Sequence, residues 1–289
     1  MFKNRRDRYN RDVSSKILIR RVDMASQERG LFAEERQQRI LAILSERSRV
    51  LVNELSEYFG VSTATLRNDL RELEQEGKLR RTHGGAVAIE SRIPEQLAEA
   101  AISEHHNAKQ AIGKAAAELV HDDDVLFCDS GSTTLEFIRA LAGRRNLTII
   151  TNDFLIASES ERVITQSNII FLGGSVRTGF HYTVGSATID ALSCLSAPTA
   201  FLATSAFSFE RGFSIHTLDL ALFKQMLIDR SEQHIMLLDS SKIGAFTTVN
   251  FAQLSDISTL IVDDFISEKD RIRLEDTEDG PNIIIAPSK

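Results

Sequence analysis

Val61-Ser62-Thr63-Ala64-Thr65-Leu66-Arg67-Asn68-Asp69-Leu70-Arg71-Glu72-Leu73 is the stretch on which the fold of this chain turns. Leu66, Leu70 and Leu73 recur three and four residues apart, the spacing that lines one face of a helix. Ser62 precedes them, where a hydroxyl accepts from the free amides of a first turn. The pattern predicts a helix from about residue 63 to 76, stopped by Gly77. Thr63, Thr65, Arg67, Asn68 and Arg71 are its outward positions. Immediately upstream, Leu55, Tyr58 and Phe59 mark a second short helix. Gly60 ends it, a residue able to take the left-handed conformation of a tight turn.

Two short helices joined by a glycine-containing turn predict a helix-turn-helix. In that motif the second helix enters a major groove ~12 Å wide, where Arg pairs with guanine and Asn with adenine. Ser62, Thr63 and Thr65, near its start, suit phosphate or thymine-methyl contacts. A helical hairpin serving protein contacts has the same spacing. The residues downstream favour DNA: Lys78-Leu79-Arg80-Arg81-Thr82-His83-Gly84-Gly85-Ala86-Val87 reads as a basic hairpin, or wing, with a Gly-Gly tip. Arg80, Arg81 and His83 thereby join the DNA-binding candidates.

Upstream, Ile40, Leu41, Ile43 and Leu44 predict an amphipathic helix reaching Arg47. Residues 1–33 form a basic extension, read as disordered, with Arg5, Arg6, Arg8, Arg11, Arg20 and Arg21 and no apolar period. It is either a solvated tail or upstream extension, since Met24 offers a second start, or an arm adding phosphate contacts. Residues 1–92 hold 19 Lys and Arg against 14 Asp and Glu, whereas 93–289 hold 15 against 27. A basic front and acidic rear suit a protein that meets a polyanion at one end.

No run approaches the ~18 apolar residues that cross a bilayer, and no signal peptide opens the chain. The expectation is a cytoplasmic protein without membrane contact, with Cys128 and Cys194 as buried, reduced thiols.

Residues 34–90 are thus assigned to the winged helix-turn-helix, 91–108 to a linker and 109–289 to an α/β domain. His105-His106 in the linker lack partner ligands at zinc spacing, so no metal is expected. After an Ala-rich helix from Lys109 to Val120, apolar runs at 125–128, 147–150, 169–172, 200–203, 235–238 and 260–262 alternate with helical patterns at 135–141, 154–161, 188–195 and 218–230. Such alternation predicts a mainly parallel sheet covered by helices, with ligands beyond the carboxyl ends of the strands.

Asp129-Ser130-Gly131-Ser132-Thr133-Thr134 lies at the first of those ends. Its hydroxyls and helix N-terminal amides can cradle a phosphate, and an ordinary capped βα turn has the same composition. Neither a Walker sequence nor a Rossmann glycine pattern is present, so no nucleotide or other cofactor is indicated. Thr151-Asn152, Gly173-Gly174 and Asp239-Ser240-Ser241-Lys242 mark further strand ends. Asp219 and Lys224 add a carboxylate and an ammonium on one helix, either exposed or paired with each other.

Three segments together resemble DeoR-family regulators: Glu35-Arg36-Gln37-Gln38-Arg39-Ile40, the 61–70 stretch, and Arg81-Thr82-His83-Gly84-Gly85-Ala86. The similarity spans about Glu34 to Asp264. It implies a sensor domain similar in fold to sugar-phosphate isomerases. It places residues 130–134, Asn152, Gly173, Gly174, Lys224, Asp239 and Lys242 at effector positions, with Asp219 at the family's acidic helix position. Two departures stand out. The family's second arginine before the Asp of the recognition helix is Asn68 here, which implies a different operator sequence. Ala203-Thr204-Ser205 replaces a glycine-containing turn, which implies a reshaped pocket.

The function these features predict is a repressor of a carbohydrate-use operon, controlled by a phosphorylated sugar and acting as a homo-oligomer, at least a dimer. An isomerase-like enzyme with an appended DNA-binding module is the alternative. Against it, no glutamate stands out as general base beside residues 130–134, and Asp129, Asp219 and Asp239 are equally well read as caps or ion pairs.

Overall fold

The computed structural model describes residues 32–288 apart from 48, 77, 83, 89 and 90. The expectations placed on residues 1–31, on Gly77 and on His83 lie outside the described residues. The chain divides into two units, 1–89 and 90–289.

In the first unit, helix α1 (Ala33–Arg47) leads through strand β1 (Arg49–Leu51) to α2 (Val52–Phe59) and α3 (Thr63–Gln75). Strands β2 (Leu79–Thr82) and β3 (Gly85–Ala88) complete it, ordered β1-β3-β2 and antiparallel. Gly60 caps α2 at φ 66° and ψ 27°, and the Ser62 hydroxyl accepts from the Thr65 amide at 3.1 Å. Ile40, Leu44, Leu55, Phe59, Leu66, Leu70 and Leu73 form the core. Gly85 is fixed by packing, because a Cβ there would stand 1.8 Å from the Val50 carbonyl oxygen.

Sequence periodicity did not anticipate the ion pair inside this small core. Arg36 of α1 donates from Nε and Nη2 to the two carboxylate oxygens of Asp69 on α3, at 2.6 and 2.9 Å, and both residues are buried.

The second unit is built on seven strands: β4 (Val125–Cys128), β5 (Thr148–Thr151), β6 (Asn168–Phe171), β7 (Ala197–Ala203), β8 (Ser231–Leu238), β9 (Thr259–Asp263) and β10 (Asn282–Ala286). Their order is β10-β9-β8-β7-β4-β5-β6, every neighbouring pair parallel. The helices are α4 (Ala98–Ser103), α5 (His106–Ala117), α6 (Ser132–Ala140), α7 (Phe154–Val163), α8 (Ser186–Ser193), α9 (Leu218–Asp229) and α10 (Glu268–Glu275).

Alternation along the strands divides the core. Phe127, Leu202, Met236 and Leu260 pack with residues of α8 and α9, while Leu126, Phe201, Leu237 and Ile261 pack with α5 and α6. Phe137 and Phe201 stack at 4.1 Å between centroids. A sheet covered on both faces explains why its strands read as unbroken apolar runs.

The structure adds elements that sequence patterns did not predict. Strand β10 and helix α10 extend the sheet beyond its six expected strands. Small antiparallel additions follow β6 and β7, pairing Ser175–Arg177 with Tyr182–Val184, and Ala206–Ser208 with Gly212–Ile215. The stretch 91–108 carries α4 and the first turn of α5. The two thiols differ: Cys128 is buried, which pushes its pKa up, whereas Cys194 is exposed, against expectation. No helix among the described residues is long and apolar enough to cross a membrane.

Candidate functional site

Two sites emerge, one in each unit. On α3, Arg67, Asn68 and Arg71 are exposed, opposite buried Leu66, Leu70 and Leu73. Arg71 donates to the Asn68 carbonyl oxygen at 3.1 Å, so these side chains form one polar surface. Ser62 is exposed but its hydroxyl caps the helix and bonds Thr65 Oγ1 at 2.9 Å. Thr63 and Thr65 are half-buried, whereas Ala64, not anticipated, is exposed. On the wing, Arg80 is exposed, while the Arg81 guanidinium lies 3.7 Å from Glu74 and its amide donates to the same carboxylate. Arg67, Asn68, Arg71 and Arg80 are thus the side chains with open access.

The second site is a cavity in the α/β unit, beyond the carboxyl ends of β4, β7 and β8. Its cavity volume is about 150 Å³. Ser130, Gly131, Ser132, Thr133, Lys224, Asp239 and Lys242 line it. Gly131 caps α6 at φ 144°, a conformation that side-chain-bearing residues avoid. The first-turn amides of α6 lack intrahelical acceptors and point positive charge along the helix axis toward an anion.

The other expected effector residues lie elsewhere. Asp129 is buried under the wall: its carboxylate accepts from the Ala203 amide at 3.0 Å, the Ser130 amide at 2.8 Å, and the Lys224 ammonium. Lys224 is 1 % exposed and also donates to the Ala203 carbonyl at 2.9 Å. Its partner is therefore Asp129, and neither the exposed-lysine reading nor pairing with Asp219 holds. Asp219 is exposed in the first turn of α9, off the cavity wall. Asn152 is buried, donating to the Thr183 carbonyl, and Thr134 is buried in the first turn of α6. Gly173 and Gly174 are exposed beside Thr188, which donates to the Gly173 carbonyl at 2.6 Å. The departing turn does form wall, through Ala203, Thr204 and Ser205.

Sequence reasoning missed two charged residues of the cavity. Lys109, taken as part of an Ala-rich helix, is 3 % exposed and lines it. Burial lowers its pKa, which nearby Asp239 partly restores. Among the described residues no carboxylate lies within the 4.0 Å of an ion pair to Lys109 or Lys242. Asp153, readable only as the cap of α7, also lines it. Burial raises its pKa to about 7, against the amides of Ile156, Leu155 and Gly131, which favour the charged form.

That raised value has a consequence for stability. Asp153 holds its proton more tightly folded than unfolded, so its stabilising effect is full below about pH 4 and is lost as pH rises to about 7. Relative to an Asp153→Asn variant, which keeps a capping side chain, the wild type should lose up to about 1.4 kcal/mol per pH unit over that window and level off above it. Denaturant melts of both proteins from acid to neutral pH measure the difference. Parallel pH profiles would count against the shift.

Known proteins share both units. The DeoR-like helix-turn-helix domain family matches residues 36–92, and the DeoR C terminal sensor domain family matches 104–264. The chain belongs to the DeoR family. It is 32 % identical over 247 residues to an HTH-type transcriptional regulator of Haemophilus influenzae, covering 86 % of this chain and 96 % of that one. It is 34 % identical over 239 residues to the regulator YgbI of Escherichia coli, covering 81 % and 91 %. It is 30 % identical over 236 residues to the transcriptional repressor GlcR of Bacillus subtilis, covering 81 % and 89 %. Among solved structures, ribose 5-phosphate isomerase A of Neisseria gonorrhoeae aligns at TM-score 0.33 and 16 % identity, over 47 % of this chain and 53 % of that one. This DeoR-family member is therefore a DNA-binding transcriptional regulator, and its relatives place it with regulators rather than enzymes.

Proposed function

We propose that this regulator represses a carbohydrate-use operon and that a phosphorylated sugar in the α/β cavity alters its hold on the operator. The observation that carries this reading is the charge pattern of the cavity. Lys109, Lys224 and Lys242 and the α6 N-terminus converge there, and only Lys224 is neutralised by a paired carboxylate. A buried ammonium without a counter-ion is unfavourable, and a phosphate supplies the missing charge. Hydroxyl-bearing Ser130, Ser132, Thr133, Thr204 and Ser205, with the Asp153 carboxyl, give a sugar its hydrogen-bond partners.

Arg67, Asn68 and Arg71 read base edges in the major groove, and Arg80 of the wing holds phosphate. The half-buried Thr63 and Thr65 and the capping Ser62 set the start of the helix against the backbone, with Arg81 steadying the wing. His83 is proposed with them from its sequence position alone. Asp129 and Thr134 act on the effector indirectly, through the wall they support, as do Asn152, Gly173 and Gly174 farther out. Asp219 has no contact that supports an effector role.

Operators are commonly read by two-fold assemblies, and Leu218 and Leu222 form an exposed apolar ridge on α9 suited to self-association. Both operator and sugar phosphate belong to the cytoplasm, where we place the protein.

Fluorescence anisotropy on promoter fragments tests the DNA assignment. Arg67→Ala should weaken specific binding by about 1–3 kcal/mol while leaving binding to random duplex nearly as it was. Undiminished specific binding would remove α3 as the reading element.

A further inference from the structure

One wall of the cavity is not made by the sheet. Residues 93–104 cross it, and Ile93, Glu95, Gln96, Ala98 and Ile102 face the interior. No residue from 93 to 107 is buried, and α4 within this stretch has six residues, none of them buried. A helix so short does not sustain itself in water, so its place depends on what ties it down.

Residues 91–92 pair with Ala245–Phe246, and Ile102 packs against the core on the α5 and α6 side; the remaining ties are polar. The Ile93 amide donates to the Phe246 carbonyl at 3.3 Å, and the Ala98 amide to the Gly179 carbonyl at 2.9 Å. Glu95 accepts from both terminal nitrogens of Arg177, at 2.5 and 2.6 Å. Arg177 also donates to Tyr182 Oη at 2.6 Å and lies 4.1 Å over the Phe180 ring, so its position is well defined. The Lys109 ammonium donates to the carbonyls of Ala101 and Glu104, the latter at 2.7 Å, at the end of α4. Two of these ties use charged side chains that line the cavity, those of Glu95 and Lys109.

We propose that residues 91–104 form a strap that carries effector occupancy to the DNA-binding unit, with Lys109 binding both strap and effector and Glu95–Arg177 acting as the latch. This rests on the reading of the cavity as the effector site. An ammonium has three N–H donors, and two of Lys109's are spent on strap carbonyls. An anion in the cavity takes the third, and meets an ammonium that the docked strap already holds in place. The effector thus binds the docked strap more tightly than a loose one, the differential affinity that coupling requires. The strap follows wing strand β3 after two residues, so it lies on the covalent route from the α/β unit to the DNA-binding unit.

Hydrogen–deuterium exchange on the full chain, with and without glucose 6-phosphate or inorganic phosphate, tests the strap, while calorimetry reads binding independently. Sugar phosphate should slow exchange of the amides of 97–104 by roughly tenfold. Arg177→Gln, outside the cavity, should speed that exchange without ligand and cut the effector's influence on operator affinity at least ~5-fold, with calorimetric binding weakened but still saturable. Arg177→Lys should restore part of the coupling. Lys109→Met should lose both calorimetric affinity and the protection. Heat of binding without any change in strap exchange, or full coupling in Arg177→Gln, overturns the strap and leaves the effector site standing. Absence of saturable heat with any phosphorylated sugar overturns the effector site itself, and the strap with it.

Discussion

Asp69→Asn should leave the winged unit largely unfolded at physiological temperature and abolish specific DNA binding. Asp69 meets Arg36 through two charge-assisted bonds inside a core of small size. Removing one member of a buried, charge-assisted pair costs about 3–5 kcal/mol. Units of some 60 residues bury a modest share of their surface and have little stability beyond that amount. Calorimetric melting of the full chain should show the winged unit's transition lost or strongly lowered, with the α/β transition in place. Arg36→Met combined with Asp69→Leu should recover much of the stability, because apolar groups of similar volume replace a buried pair with little penalty. A single Asn variant that melts like wild type would show that the pair contributes little.

Lys224→Met is the second large effect, and it concerns the α/β unit. The ammonium bonds Asp129 and the Ala203 carbonyl, so it joins α9 to the ends of β4 and β7 under the cavity. Without it the Asp129 carboxylate remains buried beside two amides and lacks a counter-ion. The expected loss is again about 3–5 kcal/mol, or roughly 10 °C in the α/β transition for a unit of this size. The double variant Asp129→Asn, Lys224→Met should regain part of it. If Lys224 served only the effector, its removal would lower ligand affinity and leave the melting temperature unmoved.

Much of this architecture was legible in the sequence because local chemistry and tertiary packing agreed. Leu66, Leu70 and Leu73 are spaced as a helix demands, and Gly60 and Ser62 supply the turn and cap. The strands were visible because both sheet faces are covered, which makes them apolar throughout. What stayed hidden has physical causes. Helix α9 is apolar nearly all round, with Leu218 and Leu222 exposed and Lys224 buried, so periodicity could not tell which face carried Asp219. Asp129 and Lys224 are 95 positions apart, a separation at which no local pattern operates. Lys109 and Asp153 look like ordinary helix-start residues until the sheet brings them to one cavity. Helix α4 has six residues and none fully buried, too short a run to show an apolar period. The triple isoleucine of β10 was overlooked because it comes after a polar stretch outside the family resemblance.

The contrast between the two thiols has a practical consequence. Cys128 is sealed inside the sheet, while Cys194 stands in the open at the end of α8. A thiol-directed dye added to the native protein will therefore attach at one defined place without mutagenesis, giving a fluorescent reporter from which distances to labelled DNA can be followed in real time.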